Sequence, residues 1–186
     1  SGSWSQLGAD IDGEAAGDGS GSSVSLSDDG TIVAIGALGS DGNGTSSGHV
    51  RVYEYDTSWV QLGADIDGEA AGDNSGFGVS LSSDGTIVAI GAFSNDDNGI
   101  DAGHVRIYEY ISGSWSQLGA DIDGEAAGDW SGYSVSLSSN GTILAIGALS
   151  NSSTGKAYAG HVRIYQYSSG SWSQLGADID GEAAGD

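Results

Sequence analysis

The sequence predicts an all-β fold of tandem four-stranded antiparallel sheets, on three observations. The segment WSQLGADIDGEAAGD occurs four times, starting at Trp4, Trp59 (with Val60 in place of Ser), Trp115 and Trp172, at intervals of 55, 56 and 57 residues. Between the copies recurs a block of the form SVSLSxDGTIVAIGA, then a variable loop, then GHVRVYEY. Both blocks carry strand periodicity and tight-turn residues, and no stretch has helical spacing. A period of this length, rich in Gly and β-formers, belongs to stacked or radially arranged units rather than to one irregular core. The units are residues 1–58, 59–114 and 115–171, with a partial fourth, 172–186, that repeats only the opening segment.

Within one unit, residues 23–27 (SVSLS) alternate strictly, with Val24 and Leu26 on one face and serines on the other, as in a half-buried strand. Asp28-Asp29-Gly30 is a tight-turn signal, matched by Ser83-Asp84-Gly85 and Ser139-Asn140-Gly141. Residues 31–37 (TIVAIGA) form a short apolar run bounded by turns, the pattern of a strand buried on both faces. Its small Ala34, Gly36 and Ala37 let neighbouring backbones approach. After the variable loop, 49–55 alternates again: His49, Arg51, Tyr53 and Tyr55 face one way, and Val50, Val52 and Glu54 the other. A turn then leads into Trp59–Leu62, the fourth strand type. EAAGD is too short for more than a single helical turn.

Composition narrows the functional classes. Four basic against 26 acidic residues give a net charge of −22, which disfavours nucleic acid and anionic membranes as partners. No apolar run approaches the length needed to span a bilayer as a helix. Without Cys there is neither a disulfide scaffold nor a thiolate metal site. An acidic surface with Asp/Asn/Gly loops suits salty or calcium-containing surroundings, so the expected location is extracellular or at the cell surface. Residues 1–6 match the internal SGSWSQ at 112–117, in phase with the repeat, as in a mature product or a portion of a longer array.

Phe77-Gly78, followed by Gly91-Ala92 closing the apolar strand, resembles the FG-GAP repeat of integrin-type β-propellers. The resemblance extends over all three repeats as a blade pattern. It implies four-stranded blades of β-propeller type packed face to face. The sequence departs from the family in three ways. It has no Pro after Gly-Ala, and it carries Ser22-Ser23 and Tyr133-Ser134 in place of Phe-Gly. The family's Asp-rich calcium loop between the first two strands is reduced to the Ser-x-Asp/Asn-Gly turn, so that site is not carried over.

The acidic segment offers a cation site of its own. Asp10, Asp12, Glu14 and Asp18 stand at relative positions 1, 3, 5 and 9, and recur as Asp65, Asp67, Glu69 and Asp73, and as Asp121, Asp123, Glu125 and Asp129. Alternate oxygens with a Gly-aided bend are what Ca²⁺ requires. Against this, Ile between the first two aspartates fits a strand edge, and Asp18 fits a turn that accepts backbone N–H groups. No cofactor is required on this reading, and Ca²⁺ is the candidate ion.

His49, His104 and His161, one per unit, are expected to satisfy interblade hydrogen bonds. Arg51, Arg106 and Arg163 are expected to pair with carboxylates or stack on aromatic rings. The repeated tryptophans are expected to anchor blade packing. Phe77, Phe93, Trp130, Tyr133 and Tyr158 occupy variable positions, where aromatic rings either pack or stack on a glycan or protein partner. The variable loops 38–48, 93–103 and 149–160 are the expected solvent-facing rim.

No nucleophile elbow or phosphate-cradling loop stands out, and near-identical repeats build the same environment three times, so no enzyme is expected. Three units are too few for an ordinary closed propeller. The surplus fourth copy of the opening segment can complete a blade in a neighbouring molecule by strand addition. The expectation is an extracellular structural or adhesive protein that assembles head-to-tail with copies of itself into a ring or filament. The alternative is a glycan- or protein-binding portion of a larger propeller.

Overall fold

A computed structural model describes residues 2–152 and 155–185. Fifteen strands form three antiparallel sheets, and no α-helix occurs among the described residues. The first sheet holds β1 (Ser20–Leu26), β2 (Ile32–Ala37), β3 (His49–Asp56), β4 (Ser58–Gln61) and the two-residue β5 (Ile66–Asp67). The second holds β6 (Gly78–Leu81), β7 (Ile87–Ala92), β8 (His104–Ile111), β9 (Ser114–Gln117) and β10 (Ile122–Asp123). The third holds β11 (Ser131–Leu137), β12 (Ile143–Ala148), β13 (His161–Ser168), β14 (Ser171–Gln174) and β15 (Ile179–Asp180). In all three sheets the four longer strands lie in chain order, and the short last element pairs with the same strand as the fourth. Each sheet is a four-stranded blade, and the fold is of β-propeller type.

The blades straddle the sequence repeats. The fourth strand of the first blade comes from the segment that opens the second repeat, with Tyr53 opposite Gln61 and Tyr55 opposite Trp59. Pairing resumes with Val50 opposite Ile66, so residues 62–65 bulge out against Arg51 and Val52. The first copy, at the head of the chain, forms no strand, and its Trp4 and Leu7 are exposed. EAAGD forms turns in the first three copies rather than helix.

The first hairpin of each blade is locked by its turn residue. Asp29 Oδ1 accepts from the Thr31 amide (2.9 Å), the Thr31 hydroxyl (2.7 Å) and the Ser27 hydroxyl (2.7 Å), while Ser27 Oγ accepts from the Ile32 amide. Asp84 repeats these bonds, and Asn140 reproduces them without a charge. Bonding first from the Thr86 amide and then from the Ser82 hydroxyl lowers the Asp84 pKa below 3.8.

Two cores lie between the blades. Ala34, Val50, Val52 and Ile66 of the first blade pack on Val79, Leu81, Val88 and Ile90 of the second. Ala89, Val105, Ile107 and Ile122 pack in the same way on Leu144, Ile146 and Tyr165 of the third. On the outer face of the first blade Ile11 and Trp59 pack on a third cluster, Val33, Ile35 and Tyr53. The central strand is thus buried on both faces in β2 as in β7, whereas it alternates in β12, where no further blade lies among the described residues. Backbone contact sets the spacing at each seam. A Cβ on Gly36 would lie 2.0 Å from the Gly76 carbonyl oxygen, and one on Gly91 would lie 2.0 Å from that of Gly132.

Gly91→Ala should lower stability by about 1–3 kcal/mol in denaturant unfolding, because a backbone carbonyl must move. Gly147→Ala, at the matching place in the third blade, should cost much less, since there the nearest atom is the rotatable Ser134 hydroxyl oxygen. Because the folded pKa of Asp84 is depressed, its contribution is present above the unfolded value and lost as pH falls through the folded one. Asp84→Asn should therefore keep the turn's hydrogen bonds, as Asn140 does, lose the charge-dependent contribution at neutral pH, and make acid unfolding less steep below pH 3.8.

Candidate functional site

The recurring acidic segment is the stitch between blades. In the second and third copies its first half is the fourth strand of one blade, and its second half runs onto the next. In the bulge, the Leu62 amide still bonds the Val52 carbonyl, while the Leu62 carbonyl turns outward and accepts the Trp115 indole N–H at 2.8 Å. Trp59 donates likewise to Leu7 and Trp172 to Leu118. Further along, the Asp67 carbonyl accepts from Arg106 Nη2 at 2.7 Å, as Asp12 does from Arg51 and Asp123 from Arg163.

Each arginine also faces the glutamate of its segment, at 3.7 Å (Arg51–Glu14), 3.4 Å (Arg106–Glu69) and 3.8 Å (Arg163–Glu125). Each lies over the tyrosine two residues on, at 5.5–5.6 Å from the ring centre. Burial raises the pKa of these tyrosines, Tyr53, Tyr108 and Tyr165, against the lowering effect of the guanidinium beside each.

The twelve candidate metal carboxylates separate into distinct roles. Asp18, Asp73 and Asp129 are buried turn residues, accepting the amides of Ala15, Ala70 and Ala126 at 2.9–3.0 Å. Asp73 and Asp129 also accept from the amides of Asn95 and Asn151. Asp12, Asp67 and Asp123 serve the seam through their backbone carbonyls. Asp10, Asp65 and Asp121 accept from the Gln four residues earlier, at 2.7 and 2.6 Å for the first two.

Among the described residues, none of the potential metal-holding groups joins the four carboxylates of one copy. Three groups combine different copies instead: Glu14, His49 and Asp65; Glu69, Asp97, His104 and Asp121; and Glu125, His161 and Asp178. In each, a glutamate of one copy meets an aspartate of the next across the histidine of the blade between them. Two of the three histidines leave ring nitrogens unbonded, against the interblade hydrogen bonds expected of them. Nδ1 of His104 and of His161 has no hydrogen-bond partner among the described residues. Burial, then the Arg106 guanidinium, lowers the His104 pKa below 6.5, favouring the neutral ring at neutral pH. The signal in the sequence was the recurrence of Glu, Gly-His and Asp in that order, hidden because its members lie far apart along the chain.

The structure brings four of the five candidate partner-binding aromatics together. Phe77 lies 4.7 Å from both Phe93 and Tyr133, and Phe93 lies 5.8 Å from both Trp130 and Tyr133. Trp130 and Tyr133 stack at 15°. All four are half-buried, packed on one another where the second and third blades meet. Tyr158 stands apart and exposed.

No protein-family model and no curated protein sequence matches the chain. The fold is that of several solved structures. A candidate 6-phosphogluconolactonase from Bacteroides uniformis superposes with TM-score 0.55 at 13% identity, over 84% of this chain and 39% of that one. The hydrazine synthase of Kuenenia stuttgartiensis gives TM-score 0.51 at 13% identity, over 84% and 36%. The periplasmic gluconolactonase of Pseudomonas aeruginosa is more distant, at 0.41. The chain thus spans less than two-fifths of the length of the first two. At such identity the likeness shows the fold alone. It nevertheless corrects the expectation that the chain is no enzyme: structures of this type are named as enzymes, so a repeated environment is no ground for excluding catalysis.

Replacing Trp115 by Phe keeps the ring but leaves the Leu62 carbonyl without its indole donor. Thermal unfolding should show a loss of about 0.5–1.5 kcal/mol. The Trp4→Phe change at the exposed head should be neutral.

Proposed function

We propose that this chain is a structural or adhesive β-repeat protein of the cell exterior that assembles head-to-tail with copies of itself. The observation that carries this reading is that its two end faces are the two halves of a blade seam. Val24 and Leu26, on the outer face of the first blade, are 62% and 60% exposed, whereas the matching Val79 and Leu81 are 9% and 7% exposed in the first core. At the other end Ile179 is 60% exposed, against 5% and 6% for Ile66 and Ile122. Burying the exposed part of each such side chain stabilises association by about 1–2 kcal/mol.

The backbone features complement each other as well. A cavity of about 340 Å³ on the third blade is lined by Gly147, Gly160, His161, Val162, Ile179 and Gly181 among others. The matching surfaces of the first two blades receive Ser75-Gly76 and Ser131-Gly132 of the next blade. Ser20-Gly21 is the same dipeptide on the first blade, and nothing lies within 4 Å of a Cβ on Gly21. Residues 1–18 and 169–186 are identical in sequence, so the head of one copy and the tail of another suit the same seam, and one of them is displaced. Such a contact is heterologous and builds a ring or an open filament. The FG-GAP resemblance, the extracellular location and calcium as a stabilising ion belong to this proposal.

The half-buried ring cluster of Phe77, Phe93, Trp130 and Tyr133 favours a second reading, a module that binds a glycan or protein at its rim.

One experiment separates them. Light scattering should show concentration-dependent assembly of the wild-type chain, abolished by either Leu26→Glu or Ile179→Glu, both exposed in the single chain. Mixing the two variants should give discrete dimers, because each keeps the face the other lacks. A wild-type chain that stays monomeric at all concentrations sinks the assembly reading and moves attention to the aromatic rim.

A further inference from the structure

The chain's least explained feature is a buried imidazole facing carboxylates it does not bond. His104 is 1% exposed, and its Nδ1 lies 3.8 Å from Glu69 Oε2 and 3.9 Å from Asp97 Oδ2. A direct N–H···O bond would bring these atoms to about 2.7–3.2 Å. Ligand atoms of Glu69, Asp97, His104 and Asp121 all lie within 4.8 Å of one another. An ion bonded at about 2.0–2.2 Å to nitrogen and oxygen holds its ligands roughly 3.4 Å apart in a tetrahedron and roughly 4.2 Å apart across a line. The observed separations of Nδ1 from the two carboxylates fall between these limits.

We propose that Glu69, Asp97, His104 and Asp121 bind a divalent first-row transition ion, with Glu14–His49–Asp65 and Glu125–His161–Asp178 as weaker sites of the same kind. The imidazole nitrogen selects such an ion over Ca²⁺ or Mg²⁺, which take oxygen ligands. Neighbouring groups already orient the carboxylates. Arg106 Nη1 faces Glu69 Oε1 and leaves Oε2 toward His104, and Gln117 holds Asp121 Oδ1.

Charge ranks the three sites. In the middle one, three carboxylates oppose the Arg106 guanidinium, whereas in each flanking site two oppose one arginine. Asp97 comes from the second variable loop; the first has the side-chain-less Gly42 at the matching place. Because the glutamate and the final aspartate come from successive copies of the segment, a bound ion would tie two blade seams together.

The test is Zn²⁺ binding to the full chain by equilibrium dialysis, in buffer containing salt and excess Mg²⁺ to saturate the diffuse acidic surface. The expected result is saturable Zn²⁺ uptake with one site tightest, and a shift of the His104 Nδ1 resonance in ¹⁵N NMR. Glu69→Gln and Asp97→Asn change exposed side chains (40% and 61%) and should leave the fold intact, which circular dichroism checks. Each should weaken the tightest site by about tenfold or more. Zn²⁺ uptake that Mg²⁺ abolishes, or that is unchanged in the Glu69→Gln/Asp97→Asn double variant, overturns the proposal.

Discussion

Close approach of backbone to backbone at the blade seams is the constraint on which the rest of this structure depends. Gly36 against Gly76, and Gly91 against Gly132, leave no room for a Cβ. With the sheets held that close, Val50 and Val52 of one blade meet Val79 and Leu81 of the next, and the seam becomes a dry core. The same closeness brings Arg106 within reach of the Asp67 carbonyl and Trp115 within reach of the Leu62 carbonyl. Apolar packing supplies the driving force, and these bonds specify how one blade is placed on the other.

The acidic segment does two jobs because of a local irregularity. Four residues bulge against two, so the segment leaves the ladder, exposes a carbonyl to the next blade's indole, and rejoins with Ile66 buried. Its strand half belongs to one blade and its turn half to the next, where Asp73 closes the turn and accepts from Asn95. Carboxylates are abundant here for several separate reasons: turn closure at Asp73, pairing with arginine at Glu69, and the unbonded face toward histidine formed by Glu69 and Asp121. A uniform reading of the segment as one cation loop merges roles that the fold keeps apart.

Part of the site was legible in the sequence. The glutamates and aspartates stood out by spacing, and Phe77, Phe93, Trp130 and Tyr133 by their place at variable positions, and the fold gathers those four rings into one cluster. The grouping of the acids was not legible, because Glu69 and Asp121 lie in different copies and meet only when His104 comes between them. Local spacing reports neighbours along one strand; it carries no information about which copy crosses a seam.

Periodicity and turn chemistry determined the strands of this protein by themselves. Val24 and Leu26 alternate with serine, Asp29-Gly30 closes a hairpin, and TIVAIGA runs between turns, all through contacts with covalent near neighbours. Only the tertiary structure decided what each strand became. IVAIGA is buried on both faces in β2 and β7, while ILAIGA in β12 alternates, and Val24 is exposed where Val79 is not. Nearly the same residues have different fates because burial is set by what stacks against a face, and that depends on the position of the blade in the array rather than on its own sequence.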